Sequence, residues 1–113
     1  MSLLQSPNYL RANRKRLALS QEEVAYLLGM KAGGKVCRHE RFLREPELKT
    51  ALAYEVIFRR TVSEIFSGLY QKIEQEVAQR ARRLAAGIDR RKPNQRNARR
   101  RQTLLDIAAL QSR

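Results

Sequence analysis

Apolar residues recur along the chain at intervals of three and four, and no segment alternates apolar and polar positions between turn residues. That spacing predicts helices and no strand. The first helix is expected to start at Pro7 with Ser6 as N-cap, because a proline's missing N–H has no helical partner to lose there. Tyr9, Leu10, Asn13 and Leu17 share one face of it, while Arg11, Arg14, Lys15 and Arg16 lie mostly off that face. Those cations are either a solvated surface or contacts to a phosphate backbone. Ser20-Gln21-Glu22-Glu23 is a capping box that starts a second helix. Val24, Ala25, Leu27 and Leu28 follow, and Gly29 is its left-handed C-cap. Gly33 and Gly34 mark a loop or a loosely wound helix start, and residues 35–42 read as a short third helix.

Glu45-Pro46-Glu47 opens a fourth helix, with Leu48, Ala51, Leu52, Val56 and Ile57 as its apolar face. Thr61-Val62-Ser63-Glu64 is a second capping box. The helix it starts meets no breaker until Gly68 and is expected to run to about residue 86. Phe66, Tyr70, Ile73, Val77, Ala81 and Leu84 recur along it, close to a heptad seam. Lys72/Glu76 and Glu76/Arg80 are opposite charges four apart, each worth about 0.2–0.5 kcal/mol to an isolated helix. Residues 87–97 are rich in breakers. A last helix over residues 98–111 carries Leu104, Leu105, Ile107, Ala108 and Leu110.

The fold class that follows is all-α. Residues 1–68 are expected to form a five-helix domain, and residues 69–113 a basic helical extension. The length of 113 residues suits one domain and an extension. The apolar seam past Phe66 packs either on the last helix or on a second copy, and self-association through it is expected.

Charge narrows the class of partner. The net charge is +13, from 24 Lys and Arg against 11 Asp and Glu. That excess repels itself in a compact chain and suits a polyanion: DNA, RNA or an anionic membrane. It is uneven. From residue 80 onward the acids are Asp89 and Asp106, against Arg80, Arg82, Arg83, Arg90, Arg91, Lys92, Arg96, Arg99, Arg100, Arg101 and Arg113. No stretch approaches the roughly 18–20 apolar residues of a membrane span, so no membrane partner is expected. The opening Met-Ser-Leu-Leu-Gln-Ser-Pro lacks the charged start and apolar run of a signal peptide. The single cysteine, Cys37, allows no internal disulfide. Cytoplasmic residence is expected, on the nucleoid when bound to DNA. Cys37 reads as a half-buried filler rather than a redox switch, and His39 as a packed or surface histidine. One cysteine and one histidine cannot build a four-ligand zinc site, so neither metal nor cofactor is expected. Paired carboxylates, a Gly-rich phosphate loop and a nucleophile with a base are all missing, and no enzymatic activity is expected.

A capped helix, a glycine-ended turn and a second short helix make up a helix-turn-helix. Its first helix braces across the DNA backbone and its second offers N-terminal residues to base edges in the major groove. The chain resembles the phage-repressor (Xre-type) helix-turn-helix family over roughly residues 8–66. The resemblance rests on Leu19-Ser20-Gln21-Glu22-Glu23-Val24-Ala25, Leu27-Leu28-Gly29-Met30, Val36-Cys37-Arg38-His39-Glu40, Glu45-Pro46-Glu47-Leu48 and Val62-Ser63-Glu64-Ile65-Phe66. It implies a five-helix domain that binds duplex DNA and regulates transcription, usually as a homodimer on a two-fold-related operator.

The resemblance also implies roles. Gln21 stands where the family often contacts a phosphate. Val24, Ala25, Leu28, Met30 and Val36 stand at its interhelical core. Arg38 and Glu40 match its Ser-Arg-Ile-Glu signature, with Cys37 for the serine. The chain departs from the pattern in one extra residue between Met30 and Val36, in His39 for an apolar residue, and in Arg59 for a common glycine. Two adjacent glycines offer no side chain to a base and weaken a helix start by about 0.8–1 kcal/mol each relative to alanine. Base contact therefore falls to Lys35 first, then Lys31 and Arg38. The expected DNA-contacting set is Gln21, Lys31, Ala32, Lys35, Arg38 and Arg41. Arg82, Arg83, Arg90, Arg91, Lys92, Arg99, Arg100 and Arg101 are expected to add phosphate contacts. Two alternatives stay open. Arginine-rich helices also bind RNA. An antitoxin-like module would bind its operator and wrap an acidic protein with its tail.

Overall fold

The computed structural model describes residues 8–90 and 92–109. Within them the chain is helical, with seven helices and no strand. They are α1 (Leu10–Arg16), α2 (Gln21–Leu27), α3 (Gly34–Glu40), α4 (Leu48–Phe58), α5 (Val62–Ile65), α6 (Ser67–Ile88) and α7 (Gln95–Ala109). Two compact units divide between Tyr70 and Gln71. None of the described helices is long and apolar enough to cross a membrane.

In the first unit both capping boxes close. Ser20 Oγ accepts the Glu23 amide at 3.0 Å and Glu23 Oε1 accepts the Ser20 amide at 2.8 Å. Thr61 Oγ1 and Glu64 do the same at the head of α5, at 3.1 and 3.0 Å. Gly29 ends α2 at φ +81°, the left-handed position that glycine fills without cost. Arg59 stands at the same kind of position after α4, at φ +56°, with a side chain to accommodate. The core gathers Leu10, Val24, Ala25, Val36, Ala51, Tyr54, Phe58, Ile65 and Phe66, with Leu28 and Met30 packed against it. Tyr54 is its centre: its ring stacks on Phe58 and meets His39 and Phe66 edge-on.

Four expectations are corrected here. The first helix begins at Leu10, not Pro7, with Tyr9 as its N-cap, and Asn8 Oδ1 accepts the Leu10 amide at 3.0 Å just before it; Ser6 and Pro7 themselves lie outside the described residues. On its inner face Leu10 and Asn13 are buried, while Tyr9 and Leu17 are exposed. The third helix is Gly34–Glu40, so Gly34 is wound into it and Phe42 is past its end. The buried face of α4 is Ala51, Tyr54 and Phe58, and Leu48, Leu52 and Val56 face solvent. The helix expected over residues 62–86 breaks at Phe66 (φ −112°, ψ 44°), where the ring turns into the core.

In the second unit α6 and α7 pair through small residues. Ala78 and Ala81 of α6 meet Ala108 of α7, with Leu104 and Ile107 packed on them. Ala85 and Ile88 of α6 are buried as well. The heptad seam expected from Phe66 to Leu84 is therefore not one surface. Ala81 lies inside, and Tyr70, Ile73, Val77 and Leu84 stay exposed. Of the residues expected to break the chain, Gly87 lies inside α6. The last helix starts at Gln95, three residues early, because Asn94 Oδ1 accepts the Asn97 amide at 2.8 Å; Leu110 and Gln111 lie outside the described residues. Among the described residues neither Lys72–Glu76 nor Glu76–Arg80 closes to an ion pair. Arg101 Nε donates to Asp89 Oδ1 at 2.6 Å instead, and this exposed pair ties α7 to the end of α6.

Candidate nucleic-acid interface

The helix α3 has two sides of opposite character. Val36, His39 and Glu40 are buried; Lys35 and Arg38 are exposed. The exposed side continues into Lys31 and Ala32 before the helix and Arg41 at its end. Five of the six residues expected at a DNA contact thus lie exposed on or beside one short helix.

The sixth, Gln21, does something else. Its Nε2 donates to Glu40 Oε1 at 3.1 Å. Glu40 also accepts Arg14 Nε at 2.6 Å and Arg14 Nη2 at 3.1 Å. Arg14 Nη1 donates to the Leu19 carbonyl at 3.0 Å. A carboxylate buried without such donors would be costly; here it accepts three bonds and locks α3 to α1 and α2. The hydrogen bond to Glu40 raises the Arg14 pKa against the desolvation that lowers it, so the guanidinium stays charged.

The turn before α3 is held closely. The Gly33 amide donates to Glu22 Oε1 at 3.1 Å. A Cβ added at Gly33 would lie 2.7 Å from that oxygen and 3.3 Å from the backbone carbon of Gln21. Glycine at 33 therefore allows the turn to approach the head of α2. A Cβ at Gly34 would meet only Arg38 Nη1, in ordinary contact at 3.7 Å. The two glycines have different reasons to be there, and only the first is forced.

His39 closes the inner side. Its Nδ1 shares a hydrogen bond with the Tyr54 hydroxyl at 2.8 Å, and its carbonyl accepts Asn8 Nδ2 at 2.9 Å. Burial lowers its pKa first, and Arg44, Arg38 and Lys35 lower it further. Burial, with the charge of Glu40, pushes the Tyr54 phenol well above its ordinary range. The pair is neutral. Of the two readings of His39, packed or surface, the structure gives the packed one, with a specific polar contact. Lys35 and Arg38 make the outer side of α3 positive. Cys37 is half-buried, and no group of His, Cys, Asp and Glu among the described residues could hold a metal.

The arginines of the extension differ among themselves. Arg83, Arg90 and Lys92 are exposed. Arg82 is exposed and has a polar or charged contact of its own. Arg101 is paired with Asp89. Arg99 and Arg100 line a cavity with Leu84 and Leu104, and Arg91 lies outside the described residues.

Sequence reasoning missed Arg14 and Tyr54. The signal for Arg14 was present: it follows Leu10 by four, as Glu40 follows Val36, which puts opposite charges on two inner faces. Arg16 was missed too; its Nη2 donates to the Phe58 carbonyl at 2.9 Å and so satisfies the end of α4. Comparison of the chain with protein-family models, with curated proteins and with solved structures finds no match.

Proposed function

We propose that the first unit is a phage-repressor-like helix-turn-helix domain that binds duplex DNA and regulates transcription. In this reading α2 and α3 are the helix pair and α3 is the recognition helix. The observation that carries it is the two-sidedness of α3. A buried ion pair and a buried His–Tyr pair fix its inner side, and Lys35 and Arg38 point away from the core. Lys35, Arg38 and Lys31 make the groove contacts, Arg41 adds a backbone contact, and Gln21 first of all seats the helix through Glu40. Exposed Arg83, Arg90 and Lys92 lend affinity without sequence preference.

A two-fold operator calls for two copies. The exposed row Leu48, Leu52 and Val56, at 74, 50 and 76 %, favours α4 as the surface between them, since large exposed apolar patches mark interfaces. The second unit is less suited, with twelve Lys and Arg against four Asp and Glu in residues 71–113. Light scattering checks this: Leu52→Glu gives a monomer and Val77→Ser leaves the dimer. The reverse result moves the interface to α6.

The test of function is a salt series of binding titrations with duplex DNA from upstream of the gene, a scrambled duplex and a structured RNA. Preference for the upstream duplex at physiological salt supports a specific regulator. Equal affinity for both duplexes, fading steeply with salt, replaces it with non-specific backbone binding. Preference for the RNA overturns the reading.

A further inference from the structure

We infer that the α6–α7 hairpin is a docking site for an acidic, amphipathic helix of a partner protein. The helix rests its apolar face on Leu84 and Leu104, and Arg96, Arg99 and Arg100 hold its carboxylates. The proposal stands on the second unit alone and does not depend on the DNA reading.

A cavity of about 380 Å³ opens between the two helices, lined by Leu84, Arg96, Arg99, Arg100, Thr103 and Leu104. Its floor is apolar: Leu84 is 59 % exposed and Leu104 half-buried. Its rim is cationic, and no carboxylate lines it. Arg100 Nη1 donates to Asn97 Oδ1 at 3.2 Å, which aims the side chain without neutralising it. Among the described residues neither Arg96, Arg99 nor Arg100 has a carboxylate at ion-pair distance, whereas Arg101 two residues on is paired with Asp89. Guanidinium forks match carboxylates bidentately. Leucines match an apolar side chain. One ligand that carries both is a helix with Asp or Glu beside an apolar row.

The extent of the surface separates this occupant from others. Ile73 and Val77 precede Leu84 on the same side of α6 at steps of four and seven, and both are exposed. The row spans roughly 16 Å at 1.5 Å per residue, the length of three turns of a partner helix and more than a small molecule needs. A phosphate backbone has nothing apolar to lay on the leucines. A second copy of residues 71–113 would set its own excess of cations against this rim and is disfavoured there.

The test uses the full chain and a labelled synthetic peptide with leucines at every third and fourth position and glutamates between them. Its control is the same composition in shuffled order, and an RNA hairpin is titrated in parallel. Fluorescence anisotropy is expected to show the ordered peptide binding at least about tenfold more tightly than the shuffled one. Leu84→Ser is expected to weaken it about tenfold. Arg99→Ser should weaken it as well and reduce its salt dependence. Because Leu84 is exposed, circular dichroism of Leu84→Ser should match the parent. Equal binding of the shuffled peptide, or no effect of Leu84→Ser, overturns the proposal in favour of diffuse charge attraction. An RNA hairpin that binds more tightly and is lost with Leu84→Ser assigns the groove to nucleic acid.

Discussion

Arg14 and Glu40 stand 26 residues apart and meet through two parallel hydrogen bonds, at 2.6 and 3.1 Å, with side chains only 12 and 4 % exposed. Removing one partner leaves the other charge buried and alone. Glu40→Ala is therefore expected to cost about 3–5 kcal/mol, read from the urea midpoint. Replacing both, as Arg14→Met with Glu40→Leu, should recover most of that loss. A double variant as unstable as the single one would show that the pair itself, not the orphaned charge, holds α3.

The adjacent glycines should respond with opposite signs. Gly34→Ala makes only an ordinary contact with Arg38 at a helix start and is expected to stabilise by about 0.4–1 kcal/mol, largely by restricting the unfolded chain. Gly33→Ala pushes against Glu22 and the backbone of Gln21 and is expected to destabilise by about 1–3 kcal/mol. Thermal melts of the two variants side by side check the pair.

Arg59 holds a left-handed conformation at the end of α4, where its Cβ crowds the backbone. Arg59→Gly relieves that strain at some entropic cost to the unfolded chain. The expected net gain is about 0.5–1 kcal/mol by denaturant titration. A loss of stability would mean that the Arg59 side chain makes up for its backbone.

His39 gives the first unit a dependence on acid. It is held neutral in the fold, with its pKa below the ordinary 6.5. As pH falls below about 6.5 the unfolded chain takes up a proton that the folded chain refuses, so unfolding gains. The stability from this group is complete above that pH and is lost as pH drops through the lowered folded value. His39→Leu with Tyr54→Phe removes both partners, and its urea midpoint should fall less between neutral and mildly acidic pH. An identical slope in parent and variant would place the acid sensitivity elsewhere.

If α3 lies on duplex DNA, Lys35→Ala should lower the slope of log affinity against log salt by up to about 0.9, one phosphate's worth. It should also narrow the gap between operator and scrambled duplex. A paired Arg90→Ser and Lys92→Ser change should flatten the slope and leave that gap. These substitutions test the extension more cleanly than cutting the chain after Leu84, which would uncover Ala78 and Ala81 of α6.

Much of the element order was legible because its signals are local. Each capping box names its helix start within four residues, and Gly29 names an end. What stayed hidden depends on tertiary choice. Along α4 eight of the eleven residues are apolar, so two faces compete, and the aromatic one wins because Tyr54 and Phe58 bury more area than Leu52 and Val56. The break at Phe66 arises the same way: its ring is drawn onto Tyr54, and the helical path gives way. The exposed cations around α3 were legible from the motif's spacing. The tie from Gln21 to Glu40 was not, since it joins two helices through a carboxylate that sequence alone leaves on the surface.

The α6–α7 hairpin is closed largely by alanines, and alanine methyls remove little area from water. Its folding free energy is correspondingly small, and a unit of this size sits near the limit for folding alone. Anything that binds the closed form adds to that free energy by mass action. The amount of folded extension in a cell then reports how much ligand is present, and protease sensitivity within α7 becomes a gauge of occupancy.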